Sequence, residues 1–526
     1  MEVGENKGGR VMKTRMRTIT ILMFLTVFLF ILSPRIAHAE TCNWTGSSGN
    51  WYDPSHWSCG HVPGPGDDAY IYLEISGQTV TLTEDANVGS LTLDSGTLTG
   101  SFDLTAGTIN WIRGTMSGSG TTTATNSANF TGTQVINLID RTFNNAGVAT
   151  WDRSQSLYPN AMAIFNNQTG ATFTILSSGA NIINGYGTFN NAGTIIKTNS
   201  GNSTFYARFN NADTGMVSVE SGTLVINNQT ASTSSGAFNV VSGASLKLTG
   251  STHNLVGNIS FTGTGTIEIA GISTDVNVTS GYTFPGTTNL TDYGTLNLST
   301  GITVFTGILN MNGGTLTGAG DLTAGTINWV SGEMSGSGTT TATSFANFSG
   351  TQVIHLTDRT FNNTGAVIWN KSNYVAVNNA AVINNQAGAT FTVQSSGSQI
   401  VSGWGTFNNY GTLNLTTGKI TVTTFKQEAG GITNLAIGGT TPNTDYSQLV
   451  ASDFYLTGPL NISFTGGYTP QIPDHFILLE YSNSRTGDFS PVHITPLSGI
   501  YWSLYYEDNA LHLYAGMAIF FPIIIR

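Results

Sequence analysis

The sequence predicts an all-β protein built as a right-handed parallel β-helix (a β-solenoid) with a cap at each end. Two observations carry this prediction. Charged residues make up only 9% of the chain while Gly is abundant, and this composition excludes long helices laced with ion pairs. A short phrase also recurs, because Phe143-Asn144-Asn145, Phe165-Asn166-Asn167 and Phe189-Asn190-Asn191 start 22 and 24 residues apart, the length of one solenoid coil.

The first 39 residues predict a signal peptide. Basic residues precede the apolar run Ile19 to Leu32, and Ala37-His38-Ala39 is a small-x-small cleavage site. A membrane anchor is the alternative, but the apolar run is short for a bilayer span and Pro34 follows it. We therefore expect an exported protein, secreted or held at the cell surface, whose mature chain begins near Glu40 and has no transmembrane span.

The mature chain divides into four parts by composition. Residues 40–79 form a Trp-rich N-terminal cap, residues 80–431 the solenoid, residues 432–515 a Pro-containing C-terminal β domain, and residues 516–526 an apolar tail. At about 21 residues per coil the solenoid would have roughly 16 or 17 coils, stacked about 4.8 Å apart into a rod of about 80 Å.

A longer repeat lies over the coil period. Residues 96–191 recur as residues 314–409, with 63 of 96 positions identical and no gap. Positions that change freely, such as Thr115 to Glu333, are predicted to point outward. Apolar positions that change conservatively are predicted to point into the core, and they pair as Ile112 with Val330, Ile175 with Val393, and Tyr186 with Trp404.

The Asn pairs stand at matching places in consecutive coils. One Asn of each pair is therefore predicted to stack in an inward ladder, where each side-chain amide donates to the next coil. The sequence leaves open which member of each pair faces inward. The residues concerned are Asn144, Asn145, Asn166, Asn167, Asn190 and Asn191 in the first copy and Asn362, Asn363, Asn384, Asn385, Asn408 and Asn409 in the second.

The two cysteines, Cys42 and Cys59, follow the predicted cleavage site. In an oxidising compartment they are predicted to form a disulfide, which for a loop of this size contributes roughly 3 kcal/mol. The alternative is a zinc site that adds His56 and His61, but this spacing matches no usual zinc finger. Three tryptophans close by suit a cap over the open end of a solenoid core, or alternatively a platform on which sugars stack.

Both ends of the mature chain resemble known surface proteins. The sequence Trp44-Thr45-Gly46, two further tryptophans and the turn Val62-Pro63-Gly64-Pro65-Gly66-Asp67-Asp68 resemble the start of large exported bacterial β-helix proteins. Segments such as Asp445-Tyr446-Ser447-Gln448-Leu449 and Gly487-Asp488-Phe489 resemble the end of autotransporter-like passenger regions. The resemblance implies an adhesin-like or cell-envelope solenoid and brings no catalytic residues with it. The tail resembles a short terminus of exported bacterial proteins, and a plain final strand is the alternative.

The N-terminal end is strongly acidic. Between Arg35 and Arg113 there is no Lys or Arg, and without the first 39 residues 27 acidic residues face 12 basic ones, a net charge of about −15. This balance argues against nucleic acid as a partner. Asp67 and Asp68, in a Gly-Pro-Gly turn, are the candidate ligands for calcium, the one cofactor the sequence suggests. The alternative is an acidic, solvated cap that keeps rod ends apart.

The sequence offers little sign of catalysis. Polysaccharide-degrading enzymes need paired carboxylates, and no Asp or Glu pair occurs at i, i+2 in the mature chain. The repeat retains the doublet Asp140-Arg141 as Asp358-Arg359, which we interpret as an ion pair in a turn rather than a polar site. We therefore expect a non-catalytic structural or adhesin-like surface protein, with extracellular polysaccharide or envelope components as partners. The alternative is a carbohydrate-active enzyme or a polysaccharide-binding protein.

Overall fold

The structure is a computed structural model that describes Met1 and residues 39–516, apart from residues 76, 161, 178–180, 395–399 and 496–499. The described chain is nearly all β and winds into a parallel β-solenoid of about 17 turns, which confirms the predicted fold class. Except for Met1 and Ala39, the predicted signal peptide lies outside the described residues, as does the predicted tail after Gly516.

Most strands are short at the N-terminal end and through the first copy of the repeat. The cap and the first coils contain β1 Thr41–Asn43, β2 Gly49–Asn50, a 3₁₀ turn Pro54–His56, β3 Asp68–Ile71, β4 Thr79–Leu82, β5 Ala86–Leu93, β6 Thr97–Gly100, β7 Leu104–Trp111, β8 Gly114–Ser117 and β9 Thr121–Gly132. The rest of the first copy contains β10 Ile136–Ile139, β11 Thr142–Asn145, β12 Val148–Arg153, β13 Leu157–Pro159, β14 Ile164–Asn167, β15 Thr172–Ile175, β16 Asn181–Ile183 and β17 Thr188–Asn191.

The middle of the rod has the same coil pattern without the repeated block. Its strands are β18 Thr194–Lys197, β19 Asn202–Phe205, β20 Arg208–Asn211, β21 Met216–Val219, β22 Thr223–Asn228, β23 Ser232–Ser234, β24 Ala237–Val240, β25 Ser245–Gly250, β26 His253–Leu255, β27 Ser260–Thr262, β28 Thr266–Ala270, β29 Asp275–Val278, β30 Thr283–Thr291 and β31 Thr295–Leu298.

The second copy and the C-terminal part contain the remaining strands, several of which are long and turn a corner. They are β32 Thr303–Gly318, β33 Asp321–Ser335, β34 Thr339–Gly350, β35 Ile354–Thr357, β36 Thr360–Asn363, β37 Ala366–Lys371, β38 Val375–Asn378, β39 Val382–Asn385, β40 Thr390–Val393, β41 Val401–Gly403, β42 Thr406–Asn409, β43 Thr412–Leu415, β44 Lys419–Gln427, β45 Ile432–Ile437, β46 Gln448–Leu456, β47 Leu460–Phe464, β48 His475–Gly487, β49 Val492–Ile494, β50 Trp502–Glu507 and β51 Ala510–Ala515.

Each coil contributes to three faces, each a column of parallel strands. Face A contains β11, β14 and β17, face B contains β12, β15 and β18, and face C contains β10, β13 and β16. Side chains alternate between core and surface along each strand, as in Thr142–Asn145, where Phe143 and Asn145 are buried. Equivalent residues of successive coils therefore meet inside the rod, as the rings of Phe143, Phe165 and Phe189 do at centroid distances of 5.0 and 4.9 Å.

The second copy of the repeat is turned by one face relative to the first. Phe143 lies on face A, but the pairings that lead along face B from β15 reach β36, which carries the equivalent residue Phe361. The copies are thus separated by about ten coils and one face. Surface residues of the two copies therefore point in different directions around the rod.

One part of the predicted core is wrong. Ile175 and Val393 are buried as expected, but Ile112 and Val330 are only half-buried. Tyr186 and Trp404 are 73% and 80% exposed, so this retained aromatic position belongs to the surface. A conservative exchange between the copies marks a constraint on the side chain, and that constraint need not be burial.

The N-terminal cap is closed by the Cys42–Cys59 disulfide, as predicted. Trp44, Trp51 and Trp57 are all nearly or fully buried, and the Trp57 ring packs edge-on against the other two at 5.0 and 4.9 Å. With their rings in the core, these tryptophans do not form the alternative sugar-stacking platform. Because both cysteine sulfurs are in the disulfide, the alternative zinc site also lacks its thiolate ligands.

Parallel pairing does not end at the predicted boundary at residue 431. It continues from β44 to β46 and β48, and from β45 to β47 and β49. Only the last two strands change the pattern, because β51 runs antiparallel to both β48 and β50. These strands cover the C-terminal end of the solenoid, where a parallel stack would otherwise leave unpaired backbone groups.

Replacing Phe165 by Ala should cost about 3–5 kcal/mol, the usual loss for a buried Phe. The ring is 2% exposed and lies between those of Phe143 and Phe189. Because coils contact only their neighbours, we expect amide protection measured by hydrogen exchange to fall most in β11, β14 and β17. Leu176→Ala, at a 47% exposed position, is the control. Equal effects of the two changes would contradict the core assignment.

His253 is a buried histidine held in its neutral form. Its Nδ1 accepts from the Asn228 side-chain amide at 3.0 Å, and its Nε2 donates to the Thr249 carbonyl at 3.0 Å. Burial lowers its pKa to about 4. The unfolded chain therefore binds a proton near pH 6.5, whereas the folded chain does so only near pH 4, so stability falls as the pH falls through this window.

We expect the coils around β25 and β26 to lose on the order of 3 kcal/mol of stability between pH 6.5 and pH 4 through this one group. Amide hydrogen exchange of these strands measures the loss of stability, once the rate at each pH has been corrected for the intrinsic exchange rate at that pH. The variant His253→Gln removes the titrating group and should flatten the difference, although it also changes packing at neutral pH. An unchanged pH dependence in the variant would show that other groups cause the acid sensitivity.

Candidate functional site

Both members of each Asn pair stack, and they form two ladders rather than one. The second Asn of each pair is buried, and its amide donates to the next coil, from Asn145 to Asn167 and from Asn167 to Asn191 at 2.8 Å each. The first Asn is half-buried on the outside and donates the opposite way, from Asn166 to Asn144 at 2.9 Å. The inner ladder ends on Asn211.

The second copy repeats this arrangement on face B. Inner amides donate from Asn363 to Asn385 and on to Asn409, and outer amides donate back from Asn408 to Asn384 and from Asn384 to Asn362. Asn409 donates to Gln427, so a glutamine ends the inner ladder. These asparagines hold coils together, and the inner ones are buried where a ligand cannot contact them.

The Gly of the repeated phrase is required by close approach of the backbone. A Cβ on Gly147 would lie 2.1 Å from the carbonyl oxygen of Asn126, and one on Gly365 would lie 2.1 Å from that of Ser344. Both distances are far below van der Waals contact, so any larger residue would push the coils apart. The backbone N–H groups of Gly147 and Gly365 also donate to the side-chain oxygens of the inner Asn145 and Asn363.

The interpretation of Asp140-Arg141 as a surface ion pair is wrong. Arg141 is fully buried, and its guanidinium donates to the Thr122 hydroxyl and to the carbonyls of Gly100, Phe102, Ser117 and Thr121. Asp140 has a left-handed backbone (φ 55°) and accepts instead from the Asn160 amide. Arg359 repeats the Arg141 contacts in the second copy.

Arg141 supplies a structural charge at a corner of the rod. Burial lowers its pKa to about 10, and the nearby Asp103 carboxylate opposes this shift, so the group stays protonated at neutral pH. Corner carbonyls cannot all pair with the next strand, and a buried guanidinium offers five donors in a fixed fork. Arg141 therefore holds neighbouring coils together as a staple, and Asp140 supplies the left-handed backbone of the turn before it.

A second buried cation was missed by the sequence comparison because its identity changes. Arg153 in the first copy is Lys371 in the second, and both are buried. Arg153 donates to the carbonyls of Trp111 and Thr131, and Lys371 donates to those of Val330 and Ser349. Comparing charge rather than identity would have revealed the pair. Burial lowers the pKa of Lys371 to about 8.

The structure gives Asp67 and Asp68 hydrogen-bonding roles. Asp67 accepts from the backbone N–H groups of Glu40 and Gly64, at 3.2 and 2.9 Å, one on each carboxylate oxygen. Asp68 accepts from the Ser90 hydroxyl at 2.5 Å. Among the described residues, the only group of three with ligand atoms close enough for a metal is Cys42, Cys59 and His61, two of which form the disulfide. Calcium binding at the acidic pair stays a prediction.

The outer surface carries a groove of about 390 Å³ that no sequence motif indicated. It begins beside Trp404 and crosses successive coils of face A at the corner with face B, where Thr421 pairs with Val450 and Val450 with Glu480. Its volume lies within the range of small-ligand sites, about 300–1,000 Å³. The remaining lining residues are Gly403, Val422, Thr423, Ala451, Ser452, Tyr481 and Ser482.

Polar groups in this groove lack partners within the protein. The Thr421 hydroxyl oxygen is buried and has no hydrogen-bond partner among the described residues. No hydrogen bond or ion pair joins the half-buried Glu480 carboxylate to another described residue. Outward polar groups elsewhere on the rod often pair between coils, as the outer Asn ladder does, whereas the Glu480 carboxylate remains available to a ligand. The Thr421 hydroxyl is enclosed by the protein and out of a ligand's reach.

No family model matches the chain, and no curated protein is similar to it. No helix in the described part of the chain combines the length and the apolar character needed to cross a bilayer.

Replacing Arg141 by Met should destabilise the adjoining coils by about 3 kcal/mol or more, because five acceptors, buried or partly buried, lose a charged donor. Asp140→Asn, at the neighbouring position, should change stability by less than about 0.5 kcal/mol, since Asn tolerates the left-handed backbone and can keep the contact to Asn160. Urea unfolding of both variants measures the difference. Similar losses in the two variants would contradict the staple role of Arg141.

Proposed function

We propose that the protein is a non-catalytic, exported rod of the cell surface that serves a structural or adhesin-like role. The observation that carries this proposal is the use of its polar residues. Buried Arg141, Arg153, Arg359 and Lys371 and the two Asn ladders all bind one coil to another. The polar side chains that an enzyme would direct at a substrate here hold the coils of a long, regular stack together.

Two further observations support an extracellular place for the rod. The disulfide suits an oxidising compartment, because reducing compartments keep such thiols apart. The sequence of the first 39 residues has the basic, apolar and small-residue regions of a signal peptide. A stack of about 17 turns extends about 80 Å, which is a useful length for holding a site away from an envelope.

The alternative of a polysaccharide-degrading enzyme requires two carboxylates about 5–9.5 Å apart. The groove beside Trp404 has a single carboxylate among its lining residues, that of Glu480, and no basic residue. This composition favours binding over bond cleavage, so the enzyme alternative ranks second.

The proposal is tested by expressing the full chain in a bacterium with an epitope between Gly466 and Gly467, in an exposed turn where a Cβ added to either glycine would meet no atom within 4 Å. We expect a mature chain that begins at Glu40, has oxidised cysteines and loses its epitope when intact cells are treated with protease. Ala37→Leu together with Ala39→Leu should block processing. An uncleaved chain that stays inside the cell with reduced cysteines would refute the proposal.

The same preparation also decides between binding and catalysis. The purified mature chain, incubated with neutral and acidic polysaccharides, should release no new reducing ends or unsaturated products. Release that is lost in a Glu480→Gln variant would replace the proposed role by an enzymatic one.

A further inference from the structure

We propose that the groove between Trp404 and Glu480 is a binding site for a neutral oligosaccharide. The inference gives a ligand class to the proposed surface rod, and in that respect it rests on the proposed function. Its physical basis is separate, since it depends only on the groove and the residues that line it.

The first argument is the exposure of Trp404. The side chain is 80% exposed at the end of β41, although burying its ring would be favourable. An indole presents a flat apolar face and an N–H donor, which suits the C–H face and hydroxyls of a pyranose ring. The first copy keeps an aromatic at this position, Tyr186, also exposed.

The second argument is the unpaired carboxylate in the groove. Glu480 is half-buried and makes no hydrogen bond to another described residue. A carboxylate accepts hydrogen bonds, so a ligand rich in hydroxyl groups can donate to it.

The third argument is charge. Glu480 is the only ionisable acid among the lining residues and no Lys, Arg or His lines the groove. The mature chain also has an excess of acidic residues, 27 against 12 basic ones. Phosphate-containing and uronic-acid ligands would therefore be repelled, and a neutral glycan would not.

The fourth argument is shape. The groove lies across successive rungs from Trp404 to Glu480, and strands in a sheet repeat about every 4.8 Å, so it is elongated along the rod axis. An elongated, shallow groove fits several rings of a chain better than a single sugar. Trp404 would stack one ring at the upper end, and Glu480 would accept from hydroxyls at the lower end.

The test uses the purified mature chain and four hexasaccharide probes: β-1,4-linked glucose, β-1,4-linked N-acetylglucosamine, α-1,4-linked glucose and, as the acidic probe, α-1,4-linked galacturonic acid. Calorimetry and tryptophan fluorescence measure binding. We expect at least one neutral probe to bind and to change the fluorescence, and the acidic probe to bind more weakly than that neutral one.

Matched variants locate the binding. Trp404→Ala should weaken binding of the neutral probe by about tenfold or more, as for aromatic anchors in other binding sites, and Glu480→Gln should weaken it by a few fold. Tyr186→Ala is the control, because it removes the equivalent exposed ring from the other copy, away from the groove. Exposed positions such as Trp404 should leave the melting curve unchanged.

The proposal is overturned if no neutral probe binds, if the acidic probe binds best, or if Trp404→Ala and Tyr186→Ala have the same effect. This outcome is separate from that of the localisation experiment. If the chain stays inside the cell but binds a neutral probe, the binding site is supported and the surface role is refuted. If the chain is at the surface but binds no probe, the surface role is supported and the binding site is refuted.

Discussion

The spacing of about 4.8 Å between parallel rungs is the constraint on which the rest of this structure depends. At that distance each inward residue meets the equivalent residue of the next coil, so a polar side chain as short as Asn finds its partner one rung away. An Asn amide does this because it carries a donor and an acceptor on one group, and Asn145 and Asn167 show the result. Residues without both functions need another solution at the corners.

The buried cations provide that solution. A corner leaves carbonyl groups pointing inward with no strand to receive them, and Arg141 collects four of them from the two preceding coils. Arg153 and its counterpart Lys371 both donate to carbonyls at the other corner, so a guanidinium and an ammonium can each occupy this place. Arg141, Arg153, Arg359 and Lys371 are thus buried charges with a structural role.

Sequence reasoning predicted what the rung spacing dictates. The period of Phe143, Phe165 and Phe189 fixed the fold class and the stacked rings, and the chain position of Cys42 and Cys59 fixed the disulfide. It could not choose the inward Asn, because both stack with equivalent partners. It misjudged Arg141, because a lone charge beside an aspartate looks like a surface pair until the unpaired corner carbonyls are known.

The surface was harder to predict for a related reason. Comparing the two copies of the repeat detects positions under constraint, and Tyr186 with Trp404 is such a position, but burial and ligand contact constrain a side chain alike. The groove itself is invisible in a linear sequence, because Trp404, Thr421, Val450 and Glu480 come from four different coils that only the register brings together.

The geometry of the duplication gives the exposed aromatic residue of each copy different neighbours. The repeated block ends at Asn409, so Trp404 is part of it while Thr421 and Glu480 are not. Because the second copy is also turned by one face, its exposed aromatic meets a different corner of the rod from that of Tyr186. The coils that follow there bring Thr421, Val450 and Glu480 to the same groove. The exposed ring of the second copy therefore has different neighbours from Tyr186, although the Asn ladders that hold the coils together are the same in both copies.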